Sequence, residues 1–379
     1  MFISKQKSPK RILGGRESVK VAIVQISQAY LNREKSLERA CQGIQEAGTN
    51  GAELIVFPEN WLAGYPYWTE GWNTEQRKWI EGRVRFHDAA IIVPSEDAER
   101  LGQAARQANA YVVMGANEMD DRPEADTIYS SLLFFGRDGS FLGRHRKLAP
   151  THQEKTFWGV GDASDLIVFD TDIGRIGGLI CGENAMTLVK AAMIAQGQDF
   201  HITVWHGSFA LHKGPTLVED DTEGVFFGQS LSRAYAVESS AFVLCACSWF
   251  DPQDIPDDFP YKKGEADFRN YNHSNGGSTI INPLGIPIAG PVHNQPTILY
   301  AECHAWMRKA HNAIIDAPGH YARPDVLQLL IRDDTGWRRA GSRAKLTLEM
   351  RDALLRSAER HDVDGERVLQ LASGQKAET

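Results

Sequence analysis

The stretch Gly174–Gly197, "GRIGGLICGENAMTLVKAAMIAQG", changes its repeat at a single residue. Before Cys181 it is an apolar, glycine-rich run; after Cys181 the apolar positions recur at helical spacing. A thiol therefore stands at a corner between a predicted strand and a predicted amphipathic helix, with Gly177, Gly178 and Gly182 around it. Glycine permits a sharp backbone and close approach of a ligand, and a helix N-terminus favours a thiolate while offering free N–H groups. Those are the local requirements of an activated nucleophile beside an oxyanion site, so the question becomes what the rest of the chain brings to the same corner.

Working outward, "DLIVFDTDIGRIGGLIC" (165–181) reads as a hairpin turning near Asp172-Ile173-Gly174 and ending on Cys181. "SSLLFFGRDGSFLGRHRKLAPT" (130–151) reads as a second hairpin turning at Arg137-Asp138-Gly139, with Lys147 where its second strand runs out. Toward the N-terminus, "SVKVAIVQIS" (18–27) has strand character, and "NREKSLERACQGIQEAGTNG" (32–51) has helical spacing closed by glycine. "AELIVFPEN" (52–60) is a nearly continuous apolar strand halted by Pro58, and Glu59 follows at once. A helix feeding a strand recurs in 99–119 and 224–250, and "GGSTIINPLGIPIAG" (276–290) is a strand, a turn and a strand. The alternation predicts an α/β fold, and "DPQDIPDDFPYKKGEADF" (251–268) reads as a surface excursion.

Composition bounds the function. With 379 residues, 42% hydrophobic and 24% charged, the chain is long enough for one large layered domain and ordinary for a globular protein. No segment has the apolar length of a membrane span, and residues 1–18 are basic without the apolar core of a secretory signal, so a loose N-terminal tail and a cytoplasmic protein are expected. A net charge of −8 argues against a nucleic-acid partner and toward a small molecule. Five cysteines without paired spacing are expected to stay reduced. The catalytic domain is expected over 19–326, and the charged segment 327–379 as a C-terminal extension with an intersubunit role.

Glu59, Lys147 and Cys181 thus sit at three strand ends, where α/β proteins gather functional side chains. Taken singly, Glu59 can be a helix cap, Lys147 an exposed base, and a cysteine after a strand a small core residue, as Cys245 and Cys247 are expected to be. Together they supply a base, a cation and a nucleophile. A Cys–His pair using His201, His206 or His152 is the alternative; metal ligation by His201, His206 and His212 fits no standard zinc spacing.

"VFPENWLAGYP", "HRKLAPTHQEKTFWG", "GGLICGENAMTL" and "GGSTIINPLGIPIAGP", in that order between Val19 and Val326, together resemble the nitrilase branch of the carbon–nitrogen hydrolase superfamily. The resemblance implies a four-layer α-β-β-α sandwich and a catalytic triad of Glu59, Lys147 and Cys181, joined by a second glutamate at Glu154. It implies no metal and no organic cofactor, an organic nitrile as substrate, and a homo-oligomer built from dimers that can extend into a spiral. An amidase or carbamoyl-amide hydrolase with the same triad, or a cyanide-hydrolysing enzyme, is the neighbouring alternative, and a catalytically silent scaffold the one from another class. The sequence departs from the usual pattern at Gly182, where tryptophan is frequent, at Ala63 and at Lys155. Pocket-lining roles are expected for Tyr65, Gly182, Trp205 and His206, with core packing the competing reading of Trp205; Trp68 and Trp72 either wall the site or pack an interface.

Overall fold

The computed structural model describes residues 12–68, 76–207, 227–259 and 274–331, with position 355. The chain divides into two units, residues 1–161 with 165–329 and residues 162–164 with 330–379, and every element named below belongs to the first.

In chain order the elements are β1 (Ser18–Gln25), α1 (Arg33–Thr49), β2 (Leu54–Val56), α2 (Gln76–Asp88), β3 (Ile91–Ile92), α3 (Glu96–Ala108), β4 (Tyr111–Met119), β5 (Ile128–Phe135) and β6 (Phe141–Arg146). They continue with β7 (Val168–Thr171), β8 (Gly174–Ile180), α4 (Thr187–Ala195), β9 (Phe200–Trp205), α5 (Phe227–Ser239), β10 (Phe242–Cys247), β11 (Gly276–Ile281), β12 (Pro287–His293), β13 (Thr297–His304) and α6 (Ala305–Asn312). Local chemistry sets the boundaries. The Asn32 side chain accepts from Lys35 N at 3.1 Å to start α1, and Ser95 caps α3. Both predicted hairpins form: β5 and β6 pair antiparallel across the Gly136–Ser140 turn, and β7 and β8 across Asp172-Ile173.

Among the described residues the strands make two sheets. One runs β13-β1-β2-β4-β5-β6 with β3 beside β4; the other runs β12-β11-β10-β9-β8-β7. Alternation along each strand builds the layers. Val19, Val21 and Ile23 of β1 and Leu132 and Phe134 of β5 join Ile176, Ile180, Ile202 and Val204 of the second sheet in one core. Ala22, Val24, Leu133 and Phe135 point the other way, onto Leu37, Ile44, Leu101 and Ala105 of α1 and α3. On the second sheet, the Thr203 hydroxyl on β9 bonds Ser232 of α5 at 2.9 Å. The result is the expected α-β-β-α sandwich, and burial on both faces explains why β1, β4 and β5 read as near-continuous apolar runs.

Three details differ from the sequence-based expectation. The N-terminal tail is not loose from Ile12 on: Leu13 is buried in the inter-sheet core and its N–H donates to Asp199 Oδ1 at 3.3 Å. Cys181 does not open an α-helix directly; it begins a short 3-10 turn, Cys181–Ala185, and α4 starts only at Thr187. The acidic loop after Phe250 is not wholly a surface excursion, since Ile255 and Phe259 are buried in an aromatic cluster with Tyr30, Trp68, Phe86 and Phe157. That cluster also claims Trp68 as a packing residue, whereas Trp72 and His212 lie outside the described residues. Beyond position 331 the expected C-terminal extension does too, apart from position 355. Among the described residues no helix is long and apolar enough to cross a membrane.

Candidate active site

Glu59 follows β2 in a turn pressed against β4. A Cβ on Gly115 would fall 1.8 Å from the Pro58 carbonyl oxygen, so only glycine lets this turn lie so close. Phe57 N donates to Val113 O at 2.9 Å and Leu62 N to Gly115 O at 2.9 Å, which fixes the peptide on either side of Glu59. Lys147 is the first residue past β6, tied by its N–H to Ser130 O at 2.8 Å. Cys181 is the first residue past β8 and sits at φ 51, a left-handed conformation that a non-glycine residue takes only when its surroundings enforce it. Asn184 is one such constraint, its amide donating to Cys181 O at 3.0 Å while its Oδ1 faces His201 Nε2 at 3.2 Å.

The first sheet therefore supplies the charges and the second the thiol, and they meet in the interior. Lys147 Nζ donates to Glu59 Oε1 at 2.9 Å and to Glu154 Oε2 at 2.7 Å, with all three side chains buried. Thr151 N donates to Glu154 Oε2 at 2.6 Å and the Tyr65 hydroxyl to Glu154 Oε1 at 3.0 Å. On the far side His206 N donates to Glu59 Oε2 at 3.1 Å, with its Nδ1 at 3.4 Å, and the His206 ring stacks on Tyr65 with centroids 3.8 Å apart. Donor atoms of Glu59, Glu154, Cys181 and His206 all lie within 4.8 Å of one another. That spacing would suit a cation, and the cation this chain itself places there is the Lys147 ammonium, bonded to both carboxylates.

The electrostatics follow from burial. Desolvation alone would push Lys147 down, but Glu59, the Cys181 sulfur and Glu154 outweigh it and hold the ammonium well above its ordinary range. Desolvation would raise Glu59; Lys147 and His206 reverse that and hold its carboxyl down to about 2. Burial pushes the Cys181 thiol well up, Glu59 adds to the effect, and Lys147 and the Gly182 N–H oppose it without winning. The expected thiolate at a helix N-terminus is thus not the resting state; the thiol needs a base at hand. Burial and the nearby carboxylates likewise keep the Tyr65 hydroxyl protonated as a donor.

Of the eight residues singled out from sequence, Glu59, Lys147, Glu154, Cys181, Tyr65 and His206 are brought together, and Gly182 adjoins the thiol. Trp205 is not among them. It is fully buried with its indole donating to Thr203 Oγ1 at 3.4 Å, on the α5 side of β9, so packing is its part. His201 is buried against Tyr235 and Asn184, and His152 is exposed. A cleft of about 490 Å³ lined by Arg33, Arg85, Asp97 and Asp258 among others shares no residue with the cluster.

A family model described as carbon-nitrogen hydrolase matches residues 20–311. The chain is 35% identical over 318 residues to Nitrilase 2 of an unknown prokaryotic organism, covering 83% of this chain and 93% of that one. The chain belongs to the carbon–nitrogen hydrolase family, in its nitrilase branch. It is also 33% identical to the bifunctional nitrilase/nitrile hydratase NIT4A of Lupinus angustifolius, over 83% of this chain and 86% of that protein. Its fold resembles Saccharomyces cerevisiae Nit3, a member of branch 10 of the nitrilase superfamily, with TM-score 0.61 at 21% identity over 83% of this chain and all of the other. This hydrolase of carbon–nitrogen bonds also holds residues that the sequence reading did not single out. Trp158 lies 5.9 Å above Lys147 Nζ and donates to Asn117 Oδ1 at 3.0 Å, while Asn117 donates to Gly64 O at 2.8 Å, steadying the turn that carries Tyr65. Glu183 and His145 are the others. Trp158 stands in the quoted "EKTFWG" and Glu183 in "CGEN", so both were visible as motif letters, but their partners are distant in sequence.

Proposed function

We propose that this protein is a nitrilase that hydrolyses an organic nitrile to the carboxylic acid and ammonia, with Cys181 as nucleophile, Glu59 as base, Lys147 as electrostatic stabiliser and Glu154 as the second carboxylate. The observation that carries the reading is one buried ammonium shared by two carboxylates with a thiol beside them. A thiol held up by burial is a poor nucleophile until Glu59 takes its proton, and Lys147 makes that transfer affordable by neutralising charge on either side of it. The sulfur then adds to the nitrile carbon, and the proton passes to nitrogen to give a thioimidate. Water adds at the same carbon while Glu59 or Glu154 takes its proton and passes it to the nitrogen. As the tetrahedral intermediate collapses, the hydroxyl proton is relayed to the nitrogen too, the carbon–nitrogen bond breaks and ammonia leaves, giving a thioester. A second water cleaves the carbon–sulfur bond, releases the acid and returns the proton to Cys181. Tyr65, bonded to Glu154 and stacked on His206, keeps both carboxylates aimed at the sulfur. No step calls for a metal or an organic cofactor.

The bifunctional relative favours one second reading, partial release of the amide from the tetrahedral intermediate. We further propose that the active form is a homo-oligomer assembled from dimers. The experiment is ammonia, acid and amide release from matched aliphatic and arylacetic nitriles and their amides, with Cys181→Ala as control. Acid and ammonia from nitriles, lost in the variant, support the nitrilase; turnover of amides alone would replace it with an amidase on the same residues.

A further inference from the structure

His145 and Glu183 form a buried pair that the reaction above does not use. Glu183 Oε2 lies 2.8 Å from His145 Nε2 and accepts from Ile180 N at 2.8 Å, while Oε1 accepts from Leu148 N at 2.6 Å. His145 Nδ1 lies 2.7 Å from the carbonyl oxygen of Asp165. A carbonyl only accepts, so Nδ1 carries a hydrogen; two backbone donors on Glu183 favour its carboxylate, and Nε2 must then donate to it as well. His145 is an imidazolium, consistent with Glu183 outweighing burial to raise its pKa. Both side chains are at most 1% exposed.

Which backbone groups are held is the informative part. Leu148 is the residue after Lys147, and Ile180 is the residue before Cys181. β6 belongs to one sheet and β8 to the other, so one carboxylate spans the two sheets and ties the peptide beyond the cation to the peptide before the thiol. A strained φ at Cys181 needs such over-determination.

We propose that Glu183, charge-balanced by His145, is a positioning residue that sets Cys181 against Lys147 and Glu59. The inference rests on the nucleophilic role of Cys181 given above. The groups facing His145 are Glu183 from the turn after β8, Asp165 before β7, and His201 on β9, which burial and the His145 charge keep neutral. Loss of the His145 proton would turn a lone pair toward Glu183 and loosen the tie.

The test measures kcat, KM, thermal midpoint and the rate of Cys181 labelling by iodoacetamide in the wild type, Glu183→Gln, Glu183→Asp and His145→Gln. Glu183→Gln turns an NH2 toward one backbone donor, and Glu183→Asp keeps the charge but is one carbon too short to reach both. Each is expected to lose kcat by about 10- to 100-fold with KM within about threefold, and to slow labelling, in protein that is still folded. In the wild type, loss of the His145 proton at alkaline pH is expected to lower kcat as the tie loosens. His145→Gln keeps a donor but cannot titrate, so its kcat falls less and that alkaline fall disappears. Wild-type kcat and labelling in both Glu183 variants, or losses that follow only the folded fraction, would overturn the proposal. If those variants do not fold, the His145→Gln pH profile decides: an unchanged alkaline limb overturns it, a lost limb supports it. Labelling needs no substrate, so a wild type inactive on nitriles whose labelling still slows in Glu183→Gln would sink the nitrilase reading and leave the positioning role standing.

Discussion

Arg144, His145, Arg146 and Lys147 are four consecutive basic residues, yet they end in two unlike places. Strand alternation sends Arg144 and Arg146 to the outer face, where both pair with the buried Glu118, Arg146 Nη2 at 2.6 Å, and Ser131 Oγ adds a third donor at 2.6 Å. The other two point between the sheets, His145 to Glu183 and Lys147 to Glu59 and Glu154. The outer cluster is closed, because Glu118 meets cations and donors and nothing reactive. In the inner cluster one cation serves two carboxylates and faces the Cys181 sulfur. Similar charge and similar burial thus do opposite jobs. The difference lies in whether a group capable of gaining charge is left beside the pair.

The largest effect should come from removing the shared cation. Lys147→Met strands two buried carboxylates and is expected to cost about 3–5 kcal/mol of stability, the range for breaking a buried pair. Loss of the charge proposed to stabilise the intermediates should lower kcat by about 10³-fold or more in whatever protein folds. Denaturant midpoints and ammonia release read the two effects separately. A variant that keeps kcat would remove the distinction between the clusters.

Next comes Glu59→Gln, expected on the proposed role of Glu59 as general base to lower kcat by about 10²–10⁴-fold. It also carries a pH signature. Glu59 is held down to about 2 from an ordinary value of 4.5, so its contribution to stability is present above the ordinary value and lost as pH falls through the folded one. The stability gap between wild type and Glu59→Gln should therefore be constant near neutrality and close between about 4.5 and 2, measured by urea unfolding across that range. A gap that does not change with pH would mean that Glu59 is not paired as described.

Much of this was legible beforehand, and the exceptions have physical reasons. Glu59, Lys147 and Cys181 could be found because each directly follows a run whose period is plain, and strand ends are few. Tyr65 is expected near the site from the family resemblance of the motif around Glu59, and His206 because it follows a strand in that fold; the structure brings them onto Glu154 and Glu59. Trp205 precedes His206 by one residue and therefore takes the opposite face of β9, a consequence of the period-two rule that mere adjacency to the site obscured. Glu183 stood in plain view two residues after the thiol, but its partners Leu148 and His145 are 35 and 38 residues away in sequence and meet it only when the sheets pack. The left-handed Cys181 and its 3-10 turn were hidden for another reason: helical spacing from Thr187 onward reads smoothly back through residues that tertiary contacts hold out of the helix.

The smallest effect on catalysis tests the comparison from its other side. Arg146→Met removes a buried partner of Glu118 and the guanidinium that lies 3.9 Å over the Tyr129 ring, but Arg144 remains on the same carboxylate. The cost should therefore fall below that of an orphaned buried charge, about 2–3 kcal/mol in chemical denaturation. Its backbone neighbour Lys147 keeps both carboxylates, and its own side chain points away from the thiol, so kcat per folded molecule should stay within about threefold of wild type. The pair of numbers matters more than either alone. Lys147→Met should lose both stability and turnover, Arg146→Met stability alone, although the two residues are adjacent in sequence and both pair with buried glutamates. If Arg146→Met instead lost turnover by about 100-fold with its fold intact, the outer cluster would have to hold β6 in register for the inner one, and the two faces of the strand would be one machine.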